Sequence, residues 1–468
     1  MADLDLANLT IPRAAEALRT KQISALELAD AYLQRIEQLN PRLNAYITVT
    51  GERARDDAKR ADAERAAGRA RGPLHGIPIA HKDLYETAAI RTTGGGKFHA
   101  NHVPSADCTV ARKLREAGTV LLGKLNTHEY AYGATTTNPH TGATRNPWNL
   151  AHIPGGSSGG SGAAIAAGLA VATTGTDTGG SIRMPASVCG VVGLKPTYGR
   201  VSKQGVLPLS YAFDHAGPLT RTVEDAALVL NAIAGYDAND ATTVRVPTED
   251  YTAQLGAGLR GLRIGVPRAW FFEHCDEEVA AAVEVALGEL RRLGADVRDA
   301  PLPGVAEGVG ATFAFVLAEA QQIHAEGLRT RPQDFGADVR ALLQSPTPSA
   351  QALMTALRAR DALSVAARGV LETVDLLATP ATPIPAARIG DDTIRVRGAN
   401  ENVLAAMIRC TAPFNATRLP ALALPCGFTR AGLPIGLQLV GRPFDEATVL
   451  RAGHAYEQAT DWHLRKAM

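Results

Sequence analysis

Two serines sit in glycine-dense turns. Ser157 lies in Gly155-Gly156-Ser157-Ser158-Gly159-Gly160-Ser161, and Ser181 in Gly175-Thr176-Asp177-Thr178-Gly179-Gly180-Ser181. Glycine lets a backbone take φ > 0 without steric cost and come close to a ligand. Such a turn can also aim successive N–H groups at one point, which suits a site that holds developing negative charge. A serine among such donors is a candidate nucleophile, but its hydroxyl needs an adjacent base. A lysine serves as that base only when neutral, so burial or a positive field must lower its pKa from about 10.4. The chain has nine lysines, none between Lys203 and Lys466, and Lys82 follows the apolar run Ile77–Ala80. That run could carry Lys82 into a low-dielectric interior. The residue types therefore suggest Ser181 as nucleophile, Lys82 as base and Ser157 as a relay between them. Backbone N–H groups of Thr178, Gly179, Gly180 and Ser181 would form an oxyanion hole. The plainer reading of the same residues is a solvated strand end and two loops.

Other chemistries fit less well. Gly155-Gly156-Ser157-Ser158-Gly159 matches Gly-x-Ser-x-Gly, the nucleophile elbow, but that elbow follows a buried strand, and Arg145–Pro154 is loop-like. His454, the late histidine such a triad would need, sits in a plain helical pattern. No Gly-Lys-Ser/Thr follows the glycines, which excludes a P-loop. His99 and His102 are close in sequence but lack the companions of a metal site, so no metal is expected. Trp270-Phe271-Phe272 reads better as a hydrophobic anchor before a helix at Asp276 than as a pocket wall.

These residues must be positioned by a scaffold of 468 residues with 46% hydrophobic content, 20% charged residues and a formal net charge of +1. This is ordinary globular composition, with no general attraction to nucleic acid or an anionic membrane. Five scattered cysteines without a Cys-x-x-Cys pair argue against a disulfide framework or zinc knuckle and for a reducing compartment. The acidic start Met-Ala-Asp-Leu-Asp-Leu is unlike a signal peptide, and the run Gly162–Ala172 is too short to span a bilayer. A cytoplasmic protein is expected.

Periodicity predicts two helices in 10–40, the second opened by the capping box Ser24-Ala25-Leu26-Glu27 and closed by Pro41. A charged helix over 51–70 precedes a short buried strand at 76–81. A helix at 107–117, a strand at Thr119–Gly123, a small-residue helix at Ser161–Leu169 and a strand at Val171–Thr174 follow. Thr222–Ala234 reads as a helix and Arg263–Val266 as a strand. Helices dominate 276–293 and 305–375, with late strands at 376–379 and 421–425. Strands alternating with helices over the whole length predict an α/β architecture.

With Lys82, Ser157 and Ser181 singled out, the sequence resembles the amidase signature family of serine hydrolases over nearly its whole length. The likeness is carried by Gly76–Asp83, Pro154–Ser161 and Gly175–Pro185, continues through Gly190–Thr197, and returns in Leu433–Gly441. The resemblance implies one amidase-signature domain over 1–468: N-terminal helices in 1–70, a catalytic core in 71–235, a helix-rich lobe in 236–375 and the rest of the core in 376–468. It implies a mixed, mostly parallel twisted sheet covered by helices on both faces. It further implies Ser181 as the acyl-forming nucleophile, Ser157 as a bridging serine after a cis peptide bond, Lys82 as base and then acid, and no cofactor. Substrate contacts are expected from Tyr132, Gly155, Gly156 and Ile408.

The expected activity is hydrolysis of an amide bond in a small or medium neutral, aryl or alkyl substrate; the same acyl-enzyme chemistry would admit esters and carbamates. The family's glutamine-hydrolysing branch has an acid to hold the substrate amino group where this chain aligns Ile408, which favours a neutral amide. Arg418 stands where the family commonly has glycine, which would alter the pocket mouth. The alternatives are the glutamine-hydrolysing component of a tRNA-dependent amidotransferase, and a catalytically idle binding or scaffold protein. Expected partners are the small-molecule substrate, with no nucleic acid and no membrane, and a homodimer is allowed.

Overall fold

In the computed structural model, which describes residues 4–468, eleven strands form one sheet. In chain order they are β1 (Tyr46–Val49), β2 (Pro78–Lys82), β3 (Val120–Leu125), β4 (Ala172–Thr176), β5 (Val192–Lys195), β6 (Ala216–Thr220), β7 (Arg263–Val266), β8 (Asp296–Asp299), β9 (Leu376–Pro380), β10 (Ala421–Phe428) and β11 (Pro434–Val440). Their order across the sheet is β1-β3-β2-β4-β6-β5-β10-β11-β9-β7-β8. The sheet is mixed. Parallel pairing occupies the two flanks, β3-β2-β4 and β9-β7-β8. The centre from β4 to β9, and the β1 edge, pair antiparallel.

Side chains of a strand alternate between the two faces, and both faces here are buried. On β9, Leu376 and Ala378 enter one apolar cluster with the helices Ala25–Leu43, Val223–Ile233, Glu277–Arg292 and Glu446–Gln458. Leu377, between them, enters a second cluster with the helices Val305–Ile323, Ala350–Thr373 and Ala412–Ala416. The core therefore lies in two layers, one on each side of the sheet. No described helix is long and apolar enough to cross a membrane.

Most predicted elements appear within a few residues of their expected places. The Ser24 capping box forms as expected: Glu27 N–H donates to Ser24 Oγ at 3.1 Å and Ser24 N–H to Glu27 Oε2 at 2.8 Å. Pro41 does not end its helix. The helix continues to Leu43 and stops at Asn44, whose φ of 51° is left-handed. A proline removes one N–H donor but leaves the following N–H groups able to bond, and Asn44 N–H still reaches Asn40 O at 2.7 Å. The strands β1, β5, β6 and β8 are additions to the sequence reading. They are four or five residues long.

Candidate active site

Strands β2 and β4 are parallel neighbours, with His81 opposite Thr174. Their C-terminal ends therefore emerge at the same edge, where open α/β sheets place ligands. Lys82 is the last residue of β2 and Thr176 the last of β4. Both the lysine and Ser157 have 0% exposure. Lys82 Nζ donates to Ser157 Oγ at 2.7 Å, to Ser158 Oγ at 2.9 Å and to Thr176 Oγ1 at 2.7 Å. Three hydroxyls thus surround the amine with no carboxylate in contact. Burial drives its pKa down to about 7, against the opposing pull of Asp214 and Asp177. A lysine that is half neutral near pH 7 can accept a proton.

Ser157 follows a cis peptide bond from Gly156. Its carbonyl is fixed by donors from three residues: His128 N–H at 3.1 Å, Thr127 Oγ1 at 3.0 Å and Thr136 Oγ1 at 3.3 Å. Ser181 is joined to this turn through the backbone, Ser158 N–H donating to Ser181 O at 3.2 Å. Among the described residues no group holds the Ser181 hydroxyl, and Ser181 lies in the wall of a cavity open to solvent.

The turn that carries Ser181 is held from below. Arg183 and Asp177 form a fully buried ion pair at 2.8 Å, and Asp177 Oδ2 also accepts from Ile182 N–H at 3.2 Å. Burial alone would raise the Asp177 carboxyl; Arg183 outweighs it and keeps the carboxyl well below the usual range. Arg183 continues to Thr411 O at 2.9 Å, Gln438 Oε1 at 2.7 Å and Asn415 Oδ1 at 2.6 Å. Thr411 Oγ1 in turn donates to Gly179 O at 2.6 Å. Gly180 has φ +136°, and a Cβ there would lie 2.1 Å from Thr411 Oγ1. The result is a run of N–H groups, Thr178 through Ser181, none of which meets a protein acceptor among the described residues. Unused donors beside a free serine hydroxyl can bind an oxyanion.

The cavity is lined by Tyr132, Met184, Leu209, Phe313, Leu404 and Ile408 among others, and by no charged residue. Of the residues expected to touch substrate, Tyr132 and Ile408 are in its wall. Gly155 and Gly156 are not among the residues of that wall. A Cβ on Gly156 would meet Ala134 C and Thr135 N at 2.7 Å, so this glycine serves close chain packing. Arg418 is also absent from the wall. Its φ is +62°, the conformation that favours glycine, and its guanidinium stacks on Tyr198 at 4.3 Å. Phe271 is buried against Phe414, with ring centroids 5.8 Å apart, and Trp270 Nε1 donates to Arg409 O at 3.1 Å. Both are anchors, as the sequence favoured.

Sequence reasoning assigned no role to Ser158 and Thr176 as partners of Lys82. Asp177 and Arg183 stand inside a motif singled out for its serine, and their Asp-x₅-Arg spacing is the one signal that could have found the buried pair. Asn415 and Gln438 carry no local signal.

The chain matches the amidase family over residues 27–450. It is 45% identical to a protein of Roseiflexus sp. (strain RS-1) named as the A subunit of glutamyl-tRNA(Gln) amidotransferase, over 98% of this chain and 98% of that one. Among solved structures it resembles a chain of a vestigial complex described as revealing the evolutionary origins of an s-triazine catabolic enzyme. That pair has TM-score 0.92 and 37% identity, covering 96% of this chain and 98% of the other. It also resembles a bacterial aryl acylamidase, at TM-score 0.90 and 28% identity, over 97% of this chain and 98% of that chain.

Proposed function

The chain belongs to the amidase family and is an amide-hydrolysing enzyme, and from that premise we propose that it works through an acyl-enzyme on Ser181. The observation that carries this reading is the buried Lys82, hydrogen-bonded at 2.7 Å to Ser157 Oγ beside the donor-rich Ser181 turn. Ser181 Oγ attacks the amide carbon while its proton passes through Ser157 to Lys82. The carbonyl oxygen becomes an oxyanion facing the N–H groups of residues 178–181. The C–N bond then breaks as Lys82 returns the proton through Ser157 to the leaving nitrogen. Water attacks the acyl-enzyme by the same proton route, and Ser181 is released with the acid.

For the substrate, likeness of sequence supports first the glutamine-hydrolysing component of a tRNA-dependent amidotransferase. In that role the chain would hydrolyse glutamine and pass the ammonia to partner proteins. The near-complete overlap with the Roseiflexus relative favours it. A second reading, a neutral aryl or alkyl amide with ester and carbamate turnover, rests on the cavity. Its lining carries no charge, whereas a free amino acid brings two charges that are costly to bury unpaired.

The test begins with a fluorophosphonate probe and intact mass on wild type and Ser181→Ala. One adduct, lost in the variant, is expected; an adduct that persists removes Ser181 as nucleophile. A panel of glutamine, anilides, esters and carbamates then separates the substrates. Glutamine turnover that rises with added amidotransferase partners supports the first reading, and anilide turnover by the isolated chain without glutaminase activity supports the second.

A further inference from the structure

The segment 209–215 is hydrogen-bonded to the Ser181 turn, and its Asp214 holds two residues of the cavity wall at once. Thr178 Oγ1 donates to Asp214 Oδ1 at 2.6 Å. Asp214 Oδ2 accepts from Leu209 N–H at 2.9 Å and Ser210 N–H at 3.1 Å. Thr178 and Leu209 both line the cavity. The next residue, His215, exchanges two backbone hydrogen bonds with Asp177, at 2.9 and 3.1 Å, so the clamp is itself fixed to the turn it holds. All three contacts of Asp214 are donors, which suit an ionised carboxylate and oppose the burial that pushes its pKa up. Unlike Asp177, it has no ion-pair partner among the described residues.

We propose that Asp214 is a positioning residue for the hydrolysis, holding the oxyanion-binding turn against the cavity through Thr178. This rests on the Lys82–Ser157–Ser181 reading above. The hydrogen bonds of Asp214 set where the Thr178–Ser181 donors point, and orientation of such donors is what an oxyanion hole supplies. Its carboxylate also favours the ammonium form of Lys82, against the burial that lowers that pKa. The other charged or titratable groups facing this space are few. Lys203 lies over Tyr198 at 4.2 Å and donates to Tyr211 O at 3.0 Å. Glu319, from the Val305–Ile323 helix, accepts from Ser210 Oγ and from Ala212 N–H at 3.3 Å. Asp177 is neutralised by Arg183, and burial pushes the His215 imidazole well below its ordinary pKa, so it is neutral.

Asp214→Asn separates charge from shape. Its amide oxygen can accept from Leu209 and Ser210 while its NH₂ donates to Thr178 Oγ1. Without the carboxylate the ammonium form of Lys82 loses support, so neutral Lys82 persists to lower pH. The acid limb of kcat/KM, and of fluorophosphonate labelling, should move down by about one pH unit. Thr178→Val removes the hydrogen bond and no charge. It should lower kcat roughly tenfold to a hundredfold with the acid limb in place. An unmoved limb in Asp214→Asn removes the accompanying charge effect, and a wild-type kcat in Thr178→Val overturns the proposal. Should Asp214→Asn fail to fold, the Thr178→Val profile decides the proposal. Failure of the underlying reading has a different signature: Lys82→Met would then label as fast as wild type.

Discussion

Replacing Lys82 by methionine should cost activity and change how stability depends on pH. Burial lowers the Lys82 pKa from 10.5 to about 7. Between those values the unfolded chain holds a proton there that the folded chain does not, so unfolding takes up a proton and stability rises with pH. The destabilisation is complete below pH 7 and has vanished by 10.5. At about 1.4 kcal/mol per pH unit, that window spans about 5 kcal/mol. Lys82→Met keeps the length of the side chain and removes the titration. It also removes three hydrogen bonds to hydroxyls, each contributing about 1 kcal/mol, but that loss does not vary with pH. Urea unfolding of both proteins at pH 7, 8 and 9 isolates the pH-dependent part. The difference in stability, wild type minus variant, should grow by about 1.4 kcal/mol per unit. Buried cysteines and tyrosines titrate alike in both and cancel. Parallel stability curves would mean that Lys82 keeps an ordinary pKa in the fold, and the base assignment would fall with it. The matching activity expectation is an acid limb near pH 7 in wild-type kcat/KM, with Lys82→Met roughly a thousandfold slower or more, the scale of losing a general base.

Gly180→Ala should retain the fold but lose roughly a hundredfold or more in kcat, because its Cβ would press on Thr411 Oγ1 at 2.1 Å from a backbone φ of +136°; a variant with normal kcat would show that the donor turn is not what binds the oxyanion. Arg183→Leu leaves Asp177 buried without its partner and should lower stability by about 3–5 kcal/mol, measured by the urea midpoint; Arg183→Leu with Asp177→Asn should recover part of it. Phe313 is 42% exposed at the cavity wall, so Phe313→Ala should raise KM for apolar amides several-fold, about 1 kcal/mol, with kcat nearly unchanged. An equal loss in both parameters would place Phe313 nearer the chemistry than the cavity suggests.

Much of the site was visible in the chain because its chemistry is built on short segments. A glycine-serine turn limits backbone and side-chain choices locally, so Ser157 and Ser181 stand out without any fold. Lys82 stands out because an apolar run leads directly into it. The long helices were legible for a similar reason, since their apolar period extends over several turns. Short strands carry less signal: β7, of four residues, was legible, while β5 and β6, of four and five, were not. They exist because neighbouring strands supply their hydrogen-bond partners.

The sequence alone determined which groups could act: a lysine behind an apolar strand, and two serines among glycines. Tertiary structure decided what each of them is. Parallel pairing of β2 with β4 brings Lys82 and Thr176 to one edge, and complete burial, which no local window contains, drives the amine's pKa down to about 7. The cavity wall draws on residues from 131 to 412, and the Arg183 network joins residues more than 200 positions apart. Electrostatics and packing depend on distance in space, and only the closed fold fixes those distances.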